Sequence, residues 1–128
     1  MSKISITKTF TFDSAHQLTD LKGSKCQNLH GHTYKLEVTV SGKVQGVVPM
    51  IMDLSLLSTI VKGILEVIDH TNLNTFFSHS NPTAEYMAEW FAEEIQQHIE
   101  AYYPHSTMPI VTKITLWETP TGCATWEA

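Results

Sequence analysis

The hydrophobic period of this chain changes twice, from two residues to about 3.6 and back to two, and that order limits the fold more than any other feature. Residues 4–12 alternate, with Ile4, Ile6, Phe10 and Phe12 on one parity and Ser5, Thr7, Thr9 and Thr11 on the other. Residues 34–40 repeat the pattern, Tyr34, Leu36, Val38 and Val40 inward against Thr33, Lys35, Glu37 and Thr39 outward. Successive side chains of a strand point to opposite faces, so each segment reads as a strand with one wet face. From Asp53, a suitable N-cap, the residues Leu57, Ile60, Val61, Ile64, Leu65 and Ile68 recur as one helical face. Asn81 and Pro82 read as N-cap and first residue of a second helix, whose stripe runs Ala84, Met87, Ala88, Phe91, Ala92, Ile95, Ile99 and Tyr102. Alternation resumes through Ile110, Ile114 and Leu116, and Thr119-Pro120-Thr121-Gly122 turns the chain into a last strand reaching about Trp126.

The resulting order is ββααββ, an α+β layer of four antiparallel strands carrying two helices on one face. Its other face and both edges stay bare, and oligomerisation is the simplest way to cover them. The 128 residues form one domain, 1–128, and a 42% apolar fraction builds a core without disulfides. Cys26 and Cys123 therefore read as reduced thiols, the second packed in the last strand. A net charge of −5 with no basic run argues against nucleic acid as a partner. No apolar stretch has membrane-spanning length and no signal-peptide pattern opens the chain, so a soluble cytoplasmic protein is expected.

Between the first two strands lie about twenty mostly polar residues, a length that tends to carry function. They hold His16, Cys26 and His30. His30-Gly31-His32 opens the second strand, where positions i and i+2 share a face, and His16 has the parity of Phe10 and Phe12. A single histidine is more often an ordinary hydrogen-bonding group, but this triplet has the spacing of a metal site. Three neutral imidazoles suit zinc and leave a fourth position for water or substrate.

Cys26, beside Lys25 in a polar stretch, suits a reactive thiolate, and the roles of metal ligand, nucleophile and base stay open. Asp69-His70 follows the first helix and reads either as a proton-transfer pair or as a helix cap. Glu118 continues the inward parity of Ile114 and Leu116, and an inward carboxylate needs a partner. The competing reading ends the strand at Trp117 and turns Glu118 to water.

Phe12-x-x-x-His16, Cys26-x-x-x-His30-Gly31-His32, Asp69-His70-x-x-Leu73-Asn74, Asn81-Pro82-Thr83-x-Glu85 and Glu118-Thr119 occur in this order. With that set the chain resembles the 6-pyruvoyl-tetrahydropterin synthase family, and within it the 6-carboxy-tetrahydropterin synthases of queuosine biosynthesis. The resemblance implies a tunnelling fold, with trimers whose sheets close into a barrel and pair into a homo-hexamer. It implies that His16, His30 and His32 hold Zn2+, that Cys26 is the base, and that Asp69 and His70 complete a proton relay. It also implies that Glu118 anchors the pterin, that Thr83 contributes to substrate binding, and that the substrate is 7,8-dihydroneopterin triphosphate. Three residues separate Cys26 from His30, which resembles the carboxy-forming members; the alternative product is 6-pyruvoyl-tetrahydropterin. Gln17 stands where many relatives carry Arg, which puts one phosphate or domain contact in doubt. Two other uses of the same residues are a zinc- and pterin-binding protein without turnover and a zinc hydrolase.

Overall fold

The computed structural model describes residues 3–128. Its elements are β1 (Ser5–His16), β2 (His30–Ser41), α1 (Leu54–Ile68), α2 (Leu73–Phe76), α3 (Ala84–Glu100), β3 (Ile110–Thr119) and β4 (Gly122–Glu127). The strands pair antiparallel in sequence order, β1-β2-β3-β4, with α1, α2 and α3 inserted between β2 and β3. The expected ββααββ layer is present, with α2 as a short addition. Among the described residues no helix is long and apolar enough to cross a membrane.

Even-numbered residues of β1, β2 and β3 line the covered face, and Phe10, Phe12, Tyr34, Leu36, Val38, Ile114 and Leu116 are buried there. Against them lie Leu57, Val61, Leu65 and Ile68 of α1 and Met87, Phe91, Ile95 and Ile99 of α3. Phe12 stacks on Tyr34, with centroids 4.8 Å apart and planes 7° from parallel, and meets Phe91 edge-on at 5.9 Å. Each such ring contributes about 2–3 kcal/mol of transfer free energy. The pair packs the core next to the histidines.

β1 is longer than the alternation indicates, since the ladder runs on through Asp13↔Thr33, Ser14↔His32, Ala15↔Gly31 and His16↔His30. The buried positions in this extension hold Ser14 and His16, so the hydrophobic signal stops while the parity continues. Each of the two side chains has a backbone partner in exchange: Ser14 Oγ donates to the Ile68 carbonyl and His16 Nδ1 to the Pro82 carbonyl, which leaves His16 Nε2 without one. His16 and His30 therefore belong to strands, and of the three residues expected in the connection only Cys26 lies there.

α1 is capped as expected, Asp53 accepting from the Ser55 N–H at 2.8 Å. α3 is not capped by Asn81. Its N-cap is Thr83, which accepts from Tyr86 N–H at 3.1 Å, and Ala84 is the first helical residue. The Asn81 amide is engaged elsewhere: its Oδ1 accepts from the Thr19 N–H at 3.0 Å, pinning the β1–β2 connection. Tyr102 lies beyond the end of α3 and is exposed, so the core stripe ends at Ile99. Cys123 is exposed too, because Ala124 and Trp126 take the inward parity of β4 and leave it on the helix-free face.

β3 leaves β2 at the end nearest the histidines. Their pairing starts at Lys35↔Trp117, and a register shift follows between Trp117 and Thr119 on the β4 side. A cavity of about 660 Å³ opens where the strands separate, lined in part by His32, Tyr34, Lys35, Trp117 and Glu118.

Candidate active site and metal centre

His16, His30 and His32 converge from the adjoining ends of β1 and β2. Their ring centroids are 4.7, 5.1 and 4.8 Å apart, and one donor atom from each lies within 4.8 Å of the others. The backbone sets two of the tautomers. His16 Nδ1 is 2.9 Å from the Pro82 carbonyl and His30 Nδ1 is 2.7 Å from the Asn28 carbonyl. A carbonyl only accepts, so both Nδ1 atoms carry the proton and both Nε2 atoms present a lone pair.

His16 Nε2 is buried without a hydrogen-bond partner. Glu118 Oε1 stands 3.3 Å from it and 3.7 Å from His32 Nε2, within ion-pair range but out of hydrogen-bond alignment with His16. An unpartnered buried polar atom costs on the order of 1–3 kcal/mol, and a coordinated cation is the partner this donor set fits. Burial holds His16 below the ordinary histidine range, against the Pro82 carbonyl and Glu118, which raise it. Burial does the same to His32, again opposed by Glu118. Both are thereby kept neutral, the form that binds a metal. Burial first and Glu118 second push the Tyr34 hydroxyl far above the usual phenol range, so it stays protonated, with its oxygen 3.4 Å from His16 Nδ1.

Cys26 sits in a single turn of 3-10 helix, Lys25–Gln27, and is partly buried. Its N–H donates to Ser24 Oγ at 3.1 Å and its carbonyl accepts from Leu18 N–H at 2.7 Å. The thiol lies outside the cluster formed by the three histidine donors. Gln17 and Asn74 bracket the same connection, each backbone or amide group answering the other at 2.8 and 2.9 Å.

Asp69 and His70 do form a pair. Asp69 Oδ1 is 3.0 Å from His70 Nδ1 and accepts from the Asp13 N–H at 2.9 Å. The Asp13 N–H bond, then His70, holds the Asp69 carboxyl below the usual carboxylate range. Asp69 also ends α1 through its own N–H to Leu65, so it is a backbone cap and a side-chain partner at once. His70 lines a hollow with Gly31, His32 and Thr33, beside the histidine cluster. Cys26 lines neither this hollow nor the cavity holding Glu118.

Glu118 keeps the inward parity and faces the histidines. Thr83 accepts in the α3 cap through its hydroxyl oxygen, next to the Pro82 carbonyl that holds His16, and its hydroxyl can still donate. Side-chain identity gives no signal for those carbonyls or for the part Asp13 plays at the Asp69–His70 pair. Tyr34, which alternation marks as core, also brings its hydroxyl to the site.

Three imidazoles gathered at a strand pair, with a carboxylate 3.3 Å from one of them, make up a candidate metal site on a small α+β scaffold. Residues 5–128 match the model of the 6-pyruvoyl tetrahydropterin synthase family, and the chain belongs to that family. It is an enzyme, of the lyase class. It is 36% identical to 6-carboxy-5,6,7,8-tetrahydropterin synthase of Haemophilus influenzae, over 95% of this chain and 97% of that protein. It is 33% identical to dihydroneopterin monophosphate aldolase of Pyrococcus furiosus, over 84% and 83%. Among solved structures, 6-pyruvoyl tetrahydropterin synthase of Caenorhabditis elegans superposes with a TM-score of 0.83 at 27% identity, covering 100% of this chain and 97% of that one.

Proposed function

We propose that this enzyme converts 7,8-dihydroneopterin triphosphate and one water into 6-carboxy-5,6,7,8-tetrahydropterin, releasing acetaldehyde and triphosphate, as a step of queuosine biosynthesis. His16, His30 and His32 would hold one zinc ion. The observation that carries this reading is the buried, unpartnered Nε2 of His16, turned toward two further imidazoles and opposed by Glu118. The name of the Haemophilus influenzae relative supports the choice of product.

Zinc, when bound, would supply a Lewis acid that makes the hydroxylated side chain of the substrate more acidic. The rest falls to the protein. The Sγ of Cys26 removes protons from the side-chain carbons, and His70, with Nδ1 held by Asp69, returns them. Glu118 accepts the pterin 2-amino group and N3–H together, two parallel donors that suit one carboxylate, and Thr83 completes substrate binding. The working unit is a homo-hexamer, a dimer of trimers, in the cytoplasm. The helix-free face, with polar side chains such as Thr7, Thr9, Lys35 and Glu37, supports that assembly, since a closed barrel would enclose it.

The alternative product, 6-pyruvoyl-tetrahydropterin, arises from the same substrate by loss of triphosphate. The short gap between Cys26 and His30 favours side-chain cleavage, because a small displacement of the thiol redirects proton transfer. Zinc-loaded protein incubated with dihydroneopterin triphosphate, and in parallel with the monophosphate, tests the reading. Acetaldehyde should appear in step with loss of the triphosphate substrate. A pyruvoyl product without acetaldehyde selects the alternative, and binding without turnover ends both.

A further inference from the structure

His70 is one of two described non-glycine residues with a left-handed backbone, at φ 58°, a conformation that costs about 1 kcal/mol or more in a residue with a Cβ. Such a residue persists only where its surroundings over-determine it. Here the determinant is Asp13 of β1. Its carbonyl accepts the His70 N–H, and its N–H donates to the same Asp69 oxygen that faces His70 Nδ1. Both groups lie on the side of β1 away from β2, so the Asp69–His70 pair is fastened to the strand edge.

The Asp13 side chain is fixed in turn. Its Oδ1 accepts from Thr33 Oγ, directly across the ladder on β2 and one residue beyond His32. Carboxylate oxygens of Asp13 and Asp69 and a ring nitrogen of His70 all lie within 4.8 Å of one another. Thr33 to Asp13 to His70 is thus a continuous connection from the histidine-bearing end of β2 to the candidate proton carrier.

We propose that Asp13 is a positioning residue for His70, with Thr33 locking Asp13 to the strand that carries His30 and His32. The inference rests on the reading of His70 as a proton carrier. Loss of the Thr33–Asp13 bond shifts Asp13 on the outer edge of β1, and with it the carbonyl that holds His70, while the ladder beyond it, Ser14↔His32 to His16↔His30, stays paired. The ring then leaves its working position while the three metal-site imidazoles keep theirs.

Asp13→Ala, Asp13→Asn, Thr33→Val and the double variant Asp13→Ala/Thr33→Val test this in the zinc-loaded protein. Asp13→Ala should lower kcat about tenfold with KM within about twofold and one zinc per chain retained. Asp13→Asn, whose amide oxygen still accepts from Thr33, should recover most of the loss. Thr33→Val should reproduce it, and the double variant should be no worse than Asp13→Ala alone. The ring NMR resonances of His70, assigned by difference from His70→Ala, should move in Asp13→Ala and return in Asp13→Asn. Unmoved resonances with unchanged kcat in both Asp13→Ala and Thr33→Val overturn the proposal, as does an Asp13→Asn variant as impaired as Asp13→Ala. Should His70→Ala itself keep full turnover, the proton-carrier reading fails separately, and the resonances still decide whether Asp13 positions the ring.

Discussion

His16 and His30 face each other as the last rung of the β1–β2 ladder, their ring centroids 4.7 Å apart. His32 is two residues along the same strand, so all three imidazoles meet only in this register. A slip of one residue would send one strand's histidines to the helix-free face. Phe12 stacked on Tyr34 and the buried Leu36 and Phe10 oppose that slip. His30→Ala should therefore keep the fold and lose metal affinity by more than the roughly 10- to 100-fold that loss of a ligand's hydrogen-bond partner costs. Metal content after dialysis, measured beside the parent, checks it; stoichiometric retention with full activity rules the assignment out.

Cys26 lies outside the histidine donor cluster, although it is only four residues before His30. Cys26→Ala should bind zinc as the parent does and lose turnover by about 10²–10⁴-fold, the range for removal of a general base. Zinc loss in this variant would place the thiol among the metal ligands.

Glu118→Gln keeps nearly the same shape but swaps a double acceptor for one acceptor and one donor. Charged hydrogen bonds are worth about 1.5–3 kcal/mol, so pterin binding should weaken about 10- to 100-fold while metal stoichiometry is unchanged. Titration with the pterin ring alone separates the two quantities. Equal binding by the variant would remove Glu118 from ring recognition.

Burial lowers the proton affinity of His16 and His32 below the ordinary value of 6.5. Between their folded values and 6.5 the unfolded chain holds more protons, so stability is complete above about pH 6.5 and falls as pH drops through it. Urea midpoints of the metal-free protein at pH 7.5 and 5.5 should differ in that direction. The zinc-loaded protein should lose more, because protons compete with the metal for the same nitrogens. A midpoint that rises on acidification would contradict the burial argument.

What the sequence reveals follows from how each feature is encoded. Phe10, Phe12, Tyr34 and Leu36 announce their face by alternation, and the parity carries His16, His32 and Glu118 to the correct side. The signal fails at Ser14 and His16, where burial is satisfied by hydrogen bonds to Ile68 and Pro82 that no hydrophobic pattern records. Asn81 and Thr83 are both good caps in isolation, and only the tertiary bond from Thr19 to Asn81 decides between them. α2, at four residues, is shorter than the helical period needs to declare itself. The grip of Asp13 on His70 is backbone chemistry between distant segments and leaves no trace in residue type.

The edge of β1 also bears on assembly. At Asp13 and Ala15 the N–H groups pointing away from β2 are taken by Asp69 and Thr71. The ladder has a period of two, so the N–H groups of Thr7, Thr9 and Thr11 point the same way, along the stretch these residues leave uncovered. β4 is the opposite edge of the sheet. A second copy that pairs β4 with this part of β1 would cover both edges and extend the sheet toward a barrel. Cys26 lines neither hollow beside the histidines, so pairing of copies would be the way to bring it and His70 to one site. Thr9→Pro removes an outward N–H without touching the β1–β2 hydrogen bonds, a substitution an edge strand accepts. Sedimentation should show the parent as an oligomer and Thr9→Pro as a folded monomer, with turnover lost together with assembly. An active parent monomer at assay concentration, or a Thr9→Pro variant that still assembles and works, would refute the edge-pairing argument.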